Sequence, residues 1–344
     1  MEHKAYKYSF LDDYSEGAHP RVLEALSRNN ETQELGYGND SFTQEAVRIL
    51  KDKIQNEDAE IHFVTGGTQA NLITLSANLQ SYDSIIAPSS GHIAIREAGA
   101  IEATGHKIHA AQTEAGKIAP ESIQAIVEGH ADIHSVRPRS VFISQATEIG
   151  TIYKKDELQA LSDVCRANNL YLYVDGARLG SALVCEEADV TLAELSCMVD
   201  MFYIGGTKNG ALLGEAIVIN NPALKENFKR HLKQRGALLA KGRVLGIQFL
   251  ELFRDDLYFD LSRHANAMAK KIKEGIVAKG HTLLCDSCTN QIFPILPKEL
   301  IEKMQSNYNF YIWSEVDAQR SAIRLVTSWA TQESAVNSFL DDLA

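Results

Sequence analysis

The chain has 344 residues and carries 34 Lys+Arg against 45 Asp+Glu, a formal net charge of −11 that leaves no basic footprint for a nucleic-acid backbone. No apolar run approaches the about 20 residues of a membrane helix, and the polar start Met1–Tyr8 has no h-region of a secretory signal, so the sequence reads as a soluble, cytoplasmic protein. Five cysteines, an odd number on a long chain, do not make a disulfide framework.

In chain order, short β-branched and aromatic runs predict strands at Ile61–Val64, Ser84–Ala87, Lys107–Ala111, Val141–Gln145, Leu170–Val174, Met201–Ile204 and Ala216–Asn220. Amphipathic spacing between them predicts helices over Ala70–Leu79, His92–Ala103, Pro120–Glu128 and Lys155–Asn168. This alternation is the signature of an α/β domain with a mainly parallel sheet. From Arg235 the texture changes to the long helices Gly246–Phe253 and Leu261–Ala278, the strands His281–Cys285, Gln291–Leu296 and Ala322–Thr327, and a closing helix from Gln332. The expected division is an N-terminal arm (1–16), a large α/β domain (17–235) and a smaller α+β domain (236–344).

Three segments carry chemistry. The apolar strand Leu170–Val174 delivers Asp175 at its carboxyl end, where ligands collect in open α/β sheets. Taken alone, this carboxylate reads equally well as a helix cap. Downstream, Met201-Phe202-Tyr203-Ile204-Gly205-Gly206-Thr207-Lys208-Asn209-Gly210 ends a second apolar strand beside a single lysine. A desolvated lysine has a depressed pKa and becomes the neutral amine that attacks carbonyls, although on local sequence alone a surface lysine in a glycine-rich turn is the better reading. Acid and lysine at neighbouring strand ends are together what pyridoxal phosphate requires. The third segment, Thr65-Gly66-Gly67-Thr68-Gln69-Ala70-Asn71, follows a strand and opens a helix, a cradle for phosphate. It lacks the lysine of a Walker A loop, and no Gly-x-Gly-x-x-Gly occurs, which weakens any nucleotide reading.

The order and spacing of GGTQAN, Gly91-His92, the Asp175–Arg178 segment and the Lys208 segment resemble the pyridoxal-phosphate-dependent threonine aldolases of the β-eliminating lyase group. The resemblance runs from about Asp12 to the C-terminus. It implies the aspartate aminotransferase type of fold (fold type I) and cleavage of β-hydroxy-α-amino acids such as threonine, allo-threonine or phenylserine to glycine and an aldehyde. It implies further that Lys208 is the aldimine lysine, that Asp175 pairs with the pyridinium nitrogen, that Gly67 and Thr68 hold the phosphate and that His92 stacks on the cofactor ring. Arg178 matches the arginine beside the cofactor. Arg324, inside Ile323-Arg324-Leu325-Val326-Thr327, matches the residue that grips the substrate carboxylate; a lone guanidinium in an apolar run suits that task, or else faces solvent on an edge strand. From the basic stretch Lys225–Arg243, Arg235 or Arg243 is the candidate that reaches the phosphate of a neighbouring subunit, so a homodimer or homotetramer with shared sites is implied. Gly36-Tyr37-Gly38-Asn39-Asp40 is placed by the same likeness near the mouth of such a shared site.

Two departures stand out. Better-known members carry a histidine where this chain has Ser144-Gln145-Ala146-Thr147-Glu148-Ile149-Gly150, which makes Glu148, if burial raises its pKa, a candidate base for the β-hydroxyl proton beside His92 or a water. Their N-terminal arginine-serine-aspartate-threonine is here Leu11-Asp12-Asp13-Tyr14-Ser15, retaining an acid, read as Asp12, for the substrate side. No metal site is expected, and the lone Cys285-Asp286-Ser287-Cys288 reads as bland thiols. The rival enzyme readings are β-elimination and transamination on the same fold. A non-catalytic role is disfavoured by the intact lysine, acid and arginine.

Overall fold

The structure, a computed structural model, describes residues 6–343; the first five residues of the expected arm, and Ala344, lie outside the described residues. The arm carries β1 (Tyr8–Ser9) and leads into α1 (Pro20–Arg28) and α2 (Ser41–Ile54). There follow β2 (Glu60–Val64), α3 (Gly67–Ala77), β3 (Asp83–Pro88), α4 (His92–Ile95), β4 (Lys107–Ala111), α5 (Pro120–Glu128), β5 (Arg137–Ser144) and α6 (Lys155–Ala167). Next come β6 (Tyr171–Asp175), α7 (Leu179–Val184), α8 (Leu192–Met198), β7 (Met201–Gly205), β8 (Glu215–Ile219), α9 (Phe228–Gln234), α10 (Arg243–Arg254) and α11 (Leu257–Ala278). The chain ends with β9 (Thr282–Leu283), β10 (Gln291–Ile292), β11 (Pro294–Pro297), α12 (Lys298–Gln305), β12 (Tyr308–Asn309), β13 (Tyr311–Glu315), β14 (Arg320–Val326) and α13 (Glu333–Asp342). Among the described residues no helix is long and apolar enough to cross a membrane.

The seven strands read from the sequence form one sheet in the order β2-β8-β7-β6-β5-β3-β4. Only β8 runs against the others, antiparallel to both β2 and β7. The strands are nearly continuous apolar runs because both faces are covered. Alternate residues divide between two cores: Ile86, Val141, Ile143, Leu172, Val174, Phe202 and Val218 pack on one side with Leu50 of α2, Leu158 of α6 and Phe249 of α10. On the other side Ile85, Phe142, Tyr173, Met201, Tyr203 and Ile217 pack with Ile73 of α3 and Phe228 of α9.

A second body is built on β14, the central strand that pairs with β10, β11 and β13. Its core joins Ile323 and Leu325 to Ile272 and Ile276 of α11, Phe339 of α13 and Phe10 of the arm. Helix α11 spans about 33 Å and contributes Leu261 to the large core and Ala269 onward to the small one. The arm is stitched on by the parallel β1–β12 pair and by the Val326 N–H, which donates to the Phe10 carbonyl at 2.9 Å.

Some elements differ from the sequence reading. The helix expected over His92–Ala103 stops after four residues, because Ala98 and Gly99 take φ of 51° and 71°. That left-handed break accompanies the burial of Glu97, whose carboxylate serves the site described below. The strand expected over Gln291–Leu296 is interrupted at Phe293, and the small body contains β13, which the sequence did not signal. Arg324, on a central rather than an edge strand, is half-buried.

The sheet leaves no space at the end of β6. A Cβ on Gly176 would lie 1.8 Å from the Tyr203 carbonyl oxygen, whereas one on the exposed Gly17 would meet nothing within 4 Å. Gly176→Ala is therefore expected to cost about 3 kcal/mol or more and Gly17→Ala less than about 0.5 kcal/mol, measured as the difference in urea unfolding free energy.

Candidate active site

The reversal of β8 sets Glu215 in register with Val64 on one side and Gly205 on the other. The carboxyl ends of β2, β3, β5, β6 and β7 and the amino end of β8 therefore share one sheet edge, where open α/β sheets bind ligands. A cavity of about 350 Å3 opens there. Gly67, Thr68, His92, Glu148, Asp175, Arg178 and Lys208 line it together with Tyr14, Glu97, Tyr203 and Glu215.

Asp175 is 5% exposed and accepts three hydrogen bonds: from Tyr203 Oη at 2.6 Å, Asn71 Nδ2 at 3.0 Å and the Ala177 N–H at 3.0 Å. Asn71 is itself oriented by the Tyr173 hydroxyl, which donates to its Oδ1 at 3.0 Å, and its Nδ2 also donates to Glu97 Oε1 at 2.7 Å. The same Glu97 oxygen lies 2.8 Å from His92 Nδ1. Asn71 thus ties the Asp175 carboxylate to the pair that fixes the imidazole.

Lys208 lies in the β7–β8 turn, closed by the Gly206 and Thr207 N–H groups donating to the Gly214 carbonyl. Its amine makes no hydrogen bond or ion pair among the described residues; the Tyr14 ring centroid is 6.0 Å away. Burial first, and then the Arg178 guanidinium, hold the amine below its ordinary pKa, while Asp13, Asp175 and Glu215 oppose. Glu215 in turn is pushed up to about 7, chiefly by burial.

At the start of α3 the first N–H bonded within the helix is that of Ala70, to the Gly66 carbonyl at 3.0 Å. The N–H groups of Gly67, Thr68 and Gln69 are left without a backbone partner, as at any helix start. A Cβ on Gly67 would come 2.9 Å from Tyr203 Oη. The tyrosine that serves Asp175 therefore also requires glycine in the cradle.

Glu148 sits across the cavity. Its Oε1 accepts from Ser144 Oγ at 2.7 Å and from the His92 N–H at 3.0 Å, and its Oε2 is buried without a partner. Burial pushes this carboxyl above its ordinary pKa, and the Asp175 charge adds to the effect. Arg178 is engaged by Asp13, Nε to Oδ2 at 2.7 Å and Nη2 to Oδ1 at 3.0 Å. Asp13 is 1% exposed; burial works to raise its pKa, yet Arg178, Lys208 and Asn290 Nδ2 outweigh it and hold it below the usual carboxylate range.

Arg324 lies outside the lining of this cavity. Its Nη2 donates to the Leu11 carbonyl at 3.1 Å and to Asp12 Oδ1 at 3.2 Å, its Nε is buried without a partner, and the Tyr311 ring centroid lies 4.9 Å from the guanidinium carbon. Arg243 is on the surface, its guanidinium bound to the carbonyls of Asn30 and Thr32. Asp40 caps α2, accepting from the Thr43 N–H at 2.8 Å.

The order of these parts along the chain matches a family model for β-eliminating lyases over residues 13–297. The chain belongs to the β-eliminating lyase family. It is 35% identical to a low specificity L-threonine aldolase of Pseudomonas aeruginosa, over 97% of this chain and 96% of that one. The fold is similar to a solved threonine aldolase of Leishmania major, with a TM-score of 0.96 and 44% identity over 98% of each chain. An aspartate aminotransferase of Thermus thermophilus superposes with a TM-score of 0.70 at 15% identity, covering 98% of this chain and 90% of that one, which marks the fold as type I. As a member of this family, the protein is a pyridoxal-phosphate-dependent lyase. The residues present fit the cofactor: a partnerless amine, a carboxylate fixed by three donors, and a glycine cradle with free N–H groups around one cavity.

Several residues of the site escaped the sequence reading. Asp13, not Asp12, is the buried acid of the arm facing Lys208, and nothing in two adjacent aspartates separates them. Glu97 was hidden by the assumption that His92 opens a long helix. Asn71 and Tyr203 stood inside the quoted motifs, and Glu215 was visible as a charge opening an apolar strand.

Removing the partner of Asp13 tests this electrostatic frame. Arg178→Ala leaves a buried carboxylate unpaired and is expected to cost about 3–5 kcal/mol at pH 7. Because the folded-state pKa of Asp13 is depressed, the lost stability is present above the ordinary value of 3.8 and shrinks as pH falls below it. Urea unfolding of both proteins at neutral and acid pH measures the narrowing.

Proposed function

We propose that this lyase cleaves β-hydroxy-α-amino acids of the threonine, allo-threonine or phenylserine type into glycine and an aldehyde. The observation that carries the reading is Glu148 Oε2, a buried carboxyl oxygen without a partner in the same cavity as Lys208 and Asp175. Lysine and acid are common ground for every reaction of the family; a base placed for a β-hydroxyl is what retro-aldol cleavage adds.

Pyridoxal phosphate, when bound, supplies an electron sink for charge developing at the α-carbon. Gly67, Thr68 and the free N–H groups of α3 would hold its phosphate, and the helix dipole favours the anion. Asp175, fixed by three donors, would pair with the ring nitrogen. His92, fixed through Nδ1 by Glu97, would cover the ring face. Lys208 presents a neutral amine, the form that attacks carbonyl carbon, because burial and Arg178 disfavour its charge. Arg324 and the remaining N–H groups of Arg178 offer planar donors to the substrate carboxylate. Gripping the carboxylate would fix the orientation of the substrate's Cα–Cβ bond. Glu148 Oε2 then accepts the β-hydroxyl proton as that bond breaks. By the family likeness the enzyme is a homodimer or homotetramer in which Arg243, which in its own chain binds the carbonyls of Asn30 and Thr32, serves a neighbour's phosphate. Unpaired thiols at all five cysteines accord with a cytoplasmic enzyme.

Incubating cofactor-saturated enzyme with L-threonine, L-allo-threonine and phenylserine should yield glycine and the matching aldehyde; ammonia and a 2-keto acid without glycine would establish β-elimination instead. Lys208→Ala should abolish both turnover and the visible absorbance of bound cofactor. The kcat/KM of the native enzyme should rise with pH through the raised pKa of Glu148, since only the carboxylate accepts a proton. Glu148→Gln should remove that limb and lower kcat/KM about 100-fold. If Glu148→Gln is nearly silent while His92→Asn is impaired, the imidazole is the base. Light scattering after gel filtration should give a dimer or tetramer, and a monomer retaining full activity would remove Arg243 from the site.

A further inference from the structure

Away from the cavity, two cysteines far apart in sequence meet. Cys288 Sγ donates to Cys185 Sγ at 3.1 Å, and both thiols are free. Cys285, the other cysteine of the Cys-x-x-Cys segment, turns instead to the Ile149 carbonyl at 3.2 Å. The Cys185–Cys288 pair lies on the wall of a second cavity, of about 480 Å3, between the end of α7 and the flank of α11. A small oxidant therefore reaches them, although Cys185 itself is only 7% exposed.

The two sulfurs are not equivalent. The Cys288 thiol, hydrogen-bonded to Cys185, and the nearby Lys154 ammonium hold Cys185 below the ordinary thiol value, against burial and the Glu187 carboxylate. Cys288, as donor and in contact with the developing charge, is raised. This is the division of labour between an attacking and a resolving thiol. The other charged groups on the cavity wall are Glu186, Arg263, Lys270, Lys273 and Glu274; Lys270 is paired with Glu186, and Lys273 with Asp286.

The loop that carries Cys288 also supports the site. Ser287 and Thr289 hydroxyls donate to the Gly150 carbonyl at 3.0 and 3.1 Å, close behind Glu148. Asn290 Nδ2 donates to Asp13 Oδ2 at 2.9 Å, and the Asn290 N–H to Ser181 Oγ of α7 at 3.1 Å. Ala146, on the wall of the first cavity, packs in one apolar cluster with Cys185, against which Cys288 rests.

We propose that Cys185 and Cys288 form a reversible disulfide on exposure to a hydroperoxide, and that closing it lowers activity by displacing the loop that braces the Gly150 carbonyl and Asp13. The Cys185 thiolate attacks the terminal peroxide oxygen, the O–O bond breaks, and the leaving oxygen takes a proton to depart as alcohol or water. Cys185 is then a sulfenic acid. Cys288 gives up its proton and attacks that sulfur, the S–S bond forms, and the displaced hydroxide leaves as water. Two thiols are oxidised by two electrons in all and one peroxide is reduced; a dithiol reverses the step by exchange. Bond formation draws the sulfurs from 3.1 Å to about 2 Å, a movement of about 1 Å in all, and misplacements of about 1 Å at supporting groups are enough to slow a reaction.

The test treats cofactor-loaded enzyme, carrying Cys197→Ser to remove the exposed thiol, with hydrogen peroxide, and maps its cysteine peptides by mass spectrometry before and after dithiothreitol. The expected result is a Cys185–Cys288 cross-link with a fall in kcat/KM for L-threonine on the order of tenfold, both reversed by the dithiol. Cys185→Ser and, separately, Cys185→Ala should keep activity without oxidant and lose the sensitivity to it, and Cys285→Ser should leave the cross-link intact. Absence of the cross-link, a Cys285–Cys288 pairing, or a complete cross-link with unchanged kcat/KM would each overturn the proposal. So would an equal loss of activity in the Cys185 variants. The kinetic arm rests on the aldolase reading; the peptide map does not, so failure of one is distinguishable from failure of the other.

Discussion

The oxygens of a buried carboxylate must find hydrogen-bond donors, and at Asp175 this requirement organises the centre of the molecule. The three donors come from different places: Asn71 on α3, Tyr203 on β7 and the backbone N–H of Ala177. Meeting them fixes the approach of α3 to the sheet edge, the alternation of β7 that turns Tyr203 to the α3 side, and the glycines at 67 and 176 that let these parts close in. The helix start that would bind phosphate and the strand end that would bind a ring nitrogen are thus set at a common distance by one carboxylate. Asn71 passes the same constraint on to Glu97 and His92.

The second organising element is the arm. Asp13 neutralises Arg178 beside Lys208, and Asp12 meets Arg324 on the central strand of the small body. Two adjacent residues therefore serve two bodies, and the arginines most suited to a substrate carboxylate are the ones the arm touches. Asp13 keeps its partner through two parallel hydrogen bonds, whereas Arg324 keeps Asp12 through a single longer one. Of the two, the Arg324 contact is the easier for an incoming carboxylate to replace.

How far the sequence revealed this depends on the kind of signal. All seven strands of the sheet were legible, because burial on both faces demands unbroken apolar runs, and the residues at their ends were legible because strand ends are where an α/β sheet puts chemistry. Seven of the named residues line one cavity: Gly67, Thr68, His92, Glu148, Asp175, Arg178 and Lys208. What stayed hidden was pairing across distance. Nothing local distinguishes Asp13 from Asp12, and Glu97 looked like one more polar residue of a helix that in fact breaks at Ala98. The Cys-x-x-Cys spacing drew attention to Cys285, while the thiol in contact with Cys288 lies in α7's terminal turn, where no spacing rule could have pointed.

The way the arm is held has a consequence for the order in which the protein can be completed during synthesis. Tyr8 pairs with Tyr308, Phe10 accepts from Val326 and Asp12 from Arg324, so these residues of the arm meet partners that are made much later than they are, while Asp13 turns to Arg178 of the large body. The large sheet closes without it, since its strands come from residues 60–219. Residues 308–326 add contacts that dock the arm, whose Asp13 is the acid beside Arg178 and Lys208. A chain lacking residues 308–326 would carry every strand of the large sheet and still lack these contacts of the arm.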